Sequence, residues 1–199
     1  MHLEYFKLID RIVDLNVGER TISVEAQVPQ HNTIFEWHFP GYPIMPGVLL
    51  IESMAQTSGW LLIALTKFER MPFLAAVKEA KMRSFVSPGD LLKINAGIVH
   101  EGSGYAITEA KVRVNGELRA NATITFGVVA FPHPDLREHM DAEAKRIGFP
   151  QQAIANDRID IFEAGTSRSL DHRHRSGDFA RRGTGRELGR AQSAAHQRR

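Results

Sequence analysis

From Val48 to about Lys67 the chain reads as a helix that carries apolar side chains almost all the way round. An ordinary surface helix keeps one polar face, whereas a helix like this one is buried on most sides. Glu52, Gln56 and Gly59 interrupt the run, which favours a core helix over a membrane span. The rest of the fold must therefore supply a cover for one long helix.

The sequence that follows changes to the period of strands. Phe73–Ala80, Leu91–His100, Tyr105–Val114 and Leu118–Val129 are separated by turns at Ser87-Pro88-Gly89-Asp90, Glu101-Gly102-Ser103-Gly104 and Asn115-Gly116. Val114-Asn115-Gly116-Glu117 is a strong hairpin signal. Ahead of the helix, Leu8–Val13 and Thr21–Val28 read as two more strands joined at Asn16-Val17-Gly18-Glu19. The spacing predicts a meander, hence an antiparallel sheet wrapped on the helix. Asp135 to Ile147 predicts a short amphipathic helix after Pro132 and Pro134, stopped at Gly148 and Pro150.

The 199 residues leave room for one sizeable domain and an appendage. There is no cysteine, so disulfides, thiol nucleophiles and cysteine-ligated metals are excluded. The start, Met1-His2-Leu3-Glu4-Tyr5, lacks the basic-then-apolar pattern of a secretory signal, and a cytoplasmic protein is expected. The net charge of +2 divides unevenly: residues 1–150 hold 15 Lys+Arg against 17 Asp+Glu, and residues 151–199 hold 10 against 6, all ten basic residues being arginine. The region 151–199 is expected to be a disordered arginine-rich tail, because 165–199 in particular has too few large apolar residues to fold alone.

Between the second strand and the helix lies His38-Phe39-Pro40-Gly41-Tyr42-Pro43-Ile44-Met45-Pro46-Gly47. Three prolines and two glycines make this a shaped loop, with Pro46 suited to the first turn of the helix. Glu52 and Gln56 are four residues apart and project from one helix face among apolar neighbours. A carboxylate there either bears a desolvation cost or has a partner and a raised pKa, the condition a general acid needs. His38 reads as a histidine at a strand end, where a structural role is common, but the constrained loop beside it favours a functional one. Gly47 opens the helix, so its N–H lacks a helical partner and could bond a substrate carbonyl. Together these groups make an acid–base site for a carbonyl-activated substrate.

Other candidates carry less. Gly102-Ser103-Gly104 is a turn with no phosphate loop around it, and the histidines show no metal-ligand spacing; no cofactor or metal is expected. Lys78, Lys81 and Arg83 read either as a solvated face or as a docking patch for an acidic carrier. The arginine tail has no nucleic-acid recognition motif.

The stretch His38-Phe39-Pro40-Gly41 through Pro43-Ile44-Met45-Pro46-Gly47-Val48-Leu49, followed by Glu52, Met54, Ala55 and Gln56, closely resembles the beta-hydroxyacyl-[acyl-carrier-protein] dehydratases of bacterial fatty acid synthesis, in particular the FabZ type. The resemblance extends over about residues 3–131, through Val86-Ser87-Pro88-Gly89-Asp90. It implies the α+β hotdog fold, a long central helix wrapped by a curved antiparallel sheet, for a dehydratase domain at 1–131; residue pattern and composition add a helical extension at 132–150 and the tail at 151–199, which depart from the family. It also implies a homodimer, often assembled further as a trimer of dimers, with His38 of one subunit facing Glu52 of the other across an acyl tunnel. The implied reaction is reversible dehydration of a (3R)-3-hydroxyacyl thioester to the trans-2-enoyl thioester. In it His38 and Glu52 are the acid–base pair, Gly47 N–H polarises the thioester carbonyl, Gln56 steadies the acid, and Lys78, Lys81 and Arg83 meet the acyl carrier protein.

Some positions separate this chain from its neighbours. The related dehydratase/isomerase type typically has aspartate in place of Glu52 and cysteine in place of Val48, so glutamate favours plain dehydration. Tyr42 stands where histidine is common and bears on the loop or tunnel mouth. Acyl-thioester hydrolysis is the main alternative chemistry, and it fits the His38 loop less well. The extension past Val129 suggests a specialised member, such as one serving a dedicated carrier or long chains.

Overall fold

A computed structural model describes residues 1–151 and Ile154. Period-two alternation builds its sheet: Leu92, Ile94 and Ala96 on β4 (Leu91–Gly102), Ala106, Thr108, Ala110, Val112 and Val114 on β5 (Tyr105–Val114), and Ala120, Ala122, Ile124 and Phe126 on β6 (Glu117–Ala130) are all buried. Even-numbered residues of three successive strands thus share one face. With β1 (Arg11–Asn16), β2 (Thr21–Gln27) and β3 (Arg70–Met82) they form one antiparallel sheet ordered β1-β2-β4-β5-β6-β3. A one-turn helix, α1 (Thr33–Trp37), and the long helix α2 (Gly47–Leu65) lie between β2 and β3, and α3 (Pro134–Arg146) follows β6.

The alanines on the inner face leave room for α2, which packs against β2, β3, β4, β5 and β6. Among the described residues α2 is the one helix long and apolar enough to cross a membrane, yet Leu50, Met54 and Trp60–Ala64 are buried inside the protein. The expected hotdog arrangement, a long helix wrapped by an antiparallel sheet, forms. The strands do not run as the expected meander: of those after α2 only β4, β5 and β6 are successive neighbours, while β3 pairs with β6 at the sheet edge and β4 pairs with β2.

Three boundaries differ from the sequence reading. The first strand starts at Arg11, not Leu8, because the Leu8 N–H is taken by the Gln56 side chain and pairing with β2 begins at Arg11–Glu25. β3 runs from Arg70 to Met82, beyond Phe73–Ala80, because β6 is long enough to pair with it from Ala130 to Ala120 across two bulges. The segment before His38 forms α1, capped where the Asn32 side chain accepts from Ile34 N–H. The Asn115-Gly116 hairpin has both residues at positive φ, 52° and 84°, as its turn chemistry requires.

The helical extension is docked on the core. Ala144 and Ile147 are buried, and Ile12 N–H donates to Ile147 O at 2.8 Å. Phe149 lies 5.2 Å from the Trp60 ring and 5.7 Å from Phe68. The Arg137 guanidinium stacks 4.2 Å over Phe68 and donates to its carbonyl. The docked segment continues past Pro150: Gln151 bonds Asp141 and Ile154 is buried. The other residues of the expected tail lie outside the described residues.

Among the described residues four buried polar side chains sit in this core. Ser53 and Thr57 donate back to helix carbonyls at Leu49 and Ser53, a local solution that leaves no buried hydroxyl unsatisfied. The other two meet each other, Thr108 Oγ1 of β5 donating to Ser58 Oγ of α2 at 2.9 Å. This bond ties helix to sheet. Thr108→Val and Ser58→Ala should each lower stability by about 1 kcal/mol, while the double variant should cost little more than either, because losing both partners strands neither. Chemical denaturation of the four proteins checks this, and strictly additive losses would contradict it.

Candidate active site

Two Pro-Gly turns shape the ground around His38. Phe39-Pro40-Gly41-Tyr42 closes with Tyr42 N–H on Phe39 O at 3.0 Å, and Gly41 takes φ +78°, the value the third position of a type II turn demands of glycine. Ser87-Pro88-Gly89-Asp90 repeats the device with Gly89 at φ +86°; Asp90 accepts from Ser87 N–H, and Val28 bonds both Gly89 and Asp90. Val86 O then accepts from Met45 N–H at 2.7 Å, so the second turn holds the loop of the first.

His38 ends α1 rather than a strand, its N–H donating to Ile34 O. Its ring Nδ1 is 2.9 Å from Ile44 O, and Ile44 N–H bonds His38 O at 3.0 Å. A carbonyl can only accept, so Nδ1 carries a proton, and in the neutral tautomer this leaves the lone pair on Nε2. The loop thus fixes the orientation of the His38 ring.

Glu52 is half-buried on α2. Burial raises its pKa above the usual 4.5, and the hydrogen bond from Gln56 only partly opposes this. Gln56 is itself fixed on three sides: its Oε1 accepts from Leu8 N–H, and its Nε2 donates to Phe6 O at 2.8 Å and Glu52 Oε1 at 3.1 Å. The N-terminal segment therefore orients Gln56, and Gln56 orients the acid. Sequence reading paired Glu52 with Gln56 but missed Phe6 and Leu8, whose part is played by backbone atoms that leave no trace in residue type.

A cavity of about 320 Å³ adjoins Glu52. Its floor is one face of α2, where Glu52, Ala55, Gln56, Gly59, Trp60 and Ile63 recur at helical spacing; β3 and α3 supply its sides. His38 does not line this cavity, and no hydrogen bond joins it to Glu52 among the described residues. Gly47 opens α2 with its N–H free of any intrahelical partner. A Cβ there would come within 3.2 Å of the Met82 side chain. Tyr42 and Val48 are exposed, Tyr42 meeting Phe85 edge to face. Lys78, Lys81 and Arg83 are exposed at the far end of β3, Arg83 bonding Asn121.

The FabA-like domain family matches residues 1–123. The chain belongs to that family. It is 42% identical over 123 residues, 61% of this chain and 86% of the relative, to a protein of Clostridium acetobutylicum called 3-hydroxyacyl-[acyl-carrier-protein] dehydratase FabZ. A protein of the same name from Symbiobacterium thermophilum is 35% identical over 136 residues, 67% of this chain and 95% of the relative. Among solved structures, a conserved protein of Pseudomonas aeruginosa aligns with a TM-score of 0.50 at 23% identity, over 63% of this chain and 91% of that one. That likeness bears on the fold alone. The family match ends at Thr123, before α3 begins.

The raised pKa of Glu52 has a consequence for stability. The folded carboxyl holds its proton to a higher pH than the unfolded one, so stability falls as pH rises from 4.5 through the raised value. Glu52→Gln keeps an acceptor for Gln56 and removes the titration. The variant should melt above the parent at neutral pH, with the gap closing as pH drops below 4.5. Thermal melts across pH check this, and a gap independent of pH would contradict it.

Proposed function

We propose that the protein catalyses the reversible dehydration of (3R)-3-hydroxyacyl thioesters carried on an acyl carrier protein, giving trans-2-enoyl thioesters. The observation that carries this reading is a pair of proton groups held in opposite states. The ring of His38 is fixed with Nε2 free to accept a proton, and Glu52 sits where burial keeps its carboxyl protonated more readily than usual. Water loss needs both: a base at C2 and an acid at the C3 hydroxyl.

The Gly47 N–H, at the positive end of α2, bonds the thioester carbonyl and so acidifies C2. His38 Nε2 takes the C2 proton, the C2–C3 double bond forms, and the C3 hydroxyl leaves with the Glu52 proton as water. The proton on His38 then returns to Glu52 through solvent, restoring both groups. Gln56 is a positioning residue for Glu52. The apolar floor of the cavity, Ala55, Gly59, Trp60 and Ile63, takes the acyl chain. Family membership and the dehydratase names of both relatives support the reaction.

The active unit in this reading is a homodimer, with trimers of dimers as its larger assembly, in which His38 of one copy meets Glu52 of the other. The separation of His38 from the Glu52 cavity supports this, as do the exposed Trp37, Phe39, Tyr42 and Phe85 around the His38 loop. Exposed Phe73 and Leu74 on the edge strand β3 add to it. Lys78, Lys81 and Arg83 receive the acidic carrier: Met82 between them packs beside Gly47, so the basic strip borders the carbonyl site.

Ultraviolet detection of enoyl-thioester formation tests both parts. His38→Ala and Glu52→Gln should each cut turnover at least about a hundredfold, the typical contribution of one acid or base. Mixing the two inactive variants and letting subunits exchange should restore about a quarter of wild-type activity, because half the dimers are mixed and each holds one intact site. Unchanged turnover in either variant would remove that residue from the mechanism. Inactive variants that show no recovery despite verified exchange would place both groups in one chain.

A further inference from the structure

We propose that α3 is the wall that limits how long an acyl chain the cavity accepts, with Met140 standing at the limit. The proposal rests on the reading of the cavity as the acyl site and adds the element that sets its length.

The placement of α3 follows from its contacts at both ends. Near its start, Arg137 holds the Phe68 carbonyl, just past the carboxyl end of α2. Near its finish, Glu143 pairs with Lys7 at 2.7 Å, and Lys7 follows Phe6, whose carbonyl Gln56 holds. α3 therefore runs back alongside α2, from beyond Ile63 to the level of Gln56. Glu52 to Ile63 spans about 16 Å of helix axis, and α3 faces this stretch from across the cavity.

Its contribution to the lining is His139, Met140, Glu143 and Arg146, opposite Met71, Pro72 and Leu74 at β3. Glu143 and Arg146 are bonded to each other at 2.7 Å, and Arg146 also holds Ile9 O. They form a fixed polar corner near Gln56. Met140 is the apolar member of the four. It lies one turn from Arg137 and one turn from Glu143, which places it along the half of the cavity away from Glu52. A methionine is unbranched and fills such a space adaptively.

The wall is not a loose lid. Ala144, Ile147 and Phe149 anchor it by buried packing, so its distance from α2 is set by the core. The family match ends at Thr123, so this boundary is supplied by a part of the chain outside the matched domain. A groove between α2 and β3 that the matched domain forms is thereby given a third side.

The test compares acyl-thioester chains of increasing length in the full-length protein, wild type, Met140→Ala and Met140→Phe. Ala144, Ile147 and Phe149 are untouched in both variants, and thermal melts verify folding. The ratio of kcat/KM for the longest to the shortest accepted 3-hydroxyacyl chain should rise about tenfold in Met140→Ala, the effect of about two more buried methylenes. It should fall in Met140→Phe. A ratio unchanged within twofold in both variants would overturn the proposal.

A second readout separates this claim from the reaction. In a Trp37→Phe background the remaining tryptophan is Trp60, on the cavity floor, and saturated acyl-pantetheine chains titrated against it report binding without turnover. Length-dependent quenching that shifts with Met140 upholds the wall even if no substrate is dehydrated. Dehydration without any change in Trp60 emission would place the acyl chain elsewhere and overturn it.

Discussion

Burial of α2 is the constraint from which the rest of the structure follows. A helix apolar on nearly all faces has to be covered, and a sheet with small residues on its inner face does so. The cover is incomplete along the face holding Glu52, Gln56 and Gly59, and there the cavity forms. The same residues that interrupt the apolar run in the sequence thus mark where the core opens. The chemistry is set by that partial burial. It is deep enough to raise the pKa of Glu52, while Gln56 keeps the carboxyl from being stranded.

The two proton groups are prepared by different means. Glu52 depends on its surroundings: desolvation acts on the carboxyl, and an amide fixed by the backbone of residues 6 and 8 orients it. His38 depends on loop geometry, because two Pro-Gly turns bring the Ile44 carbonyl onto Nδ1 and so choose the tautomer. Neither arrangement requires the other, which is the condition the proposed pairing across two copies needs.

Much of this was legible in the residues. The apolar helix, the alternation of β4 to β6 and the Asn115-Gly116 turn all belong to local patterns with a fixed period or a fixed φ demand. The spacing of Glu52 and Gln56, and the Pro-Gly loop beside His38, likewise pointed to the site. What escaped the sequence was contact between distant parts. Nothing in Phe6 or Leu8 announces that their backbone bonds Gln56, because every residue carries the same N–H and C=O. The end of α1 beneath His38 looked like a strand because five residues are too short for helical periodicity to register. The helix at 134–146 was visible, but not that Trp60, Phe68 and Phe149 would clamp it across the cavity.

In the proposed reaction His38 and Glu52 move protons at C2 and C3 while the thioester stays intact. Running the reaction in reverse in D₂O tests this most directly, with an enoyl thioester as substrate and nuclear magnetic resonance of the product as the readout. The expected product is a 3-hydroxyacyl thioester bearing one deuteron at C2, with incorporation lost in His38→Ala. Free acid with no deuterium at C2 would contradict the proposed reaction, since that outcome means attack at the carbonyl.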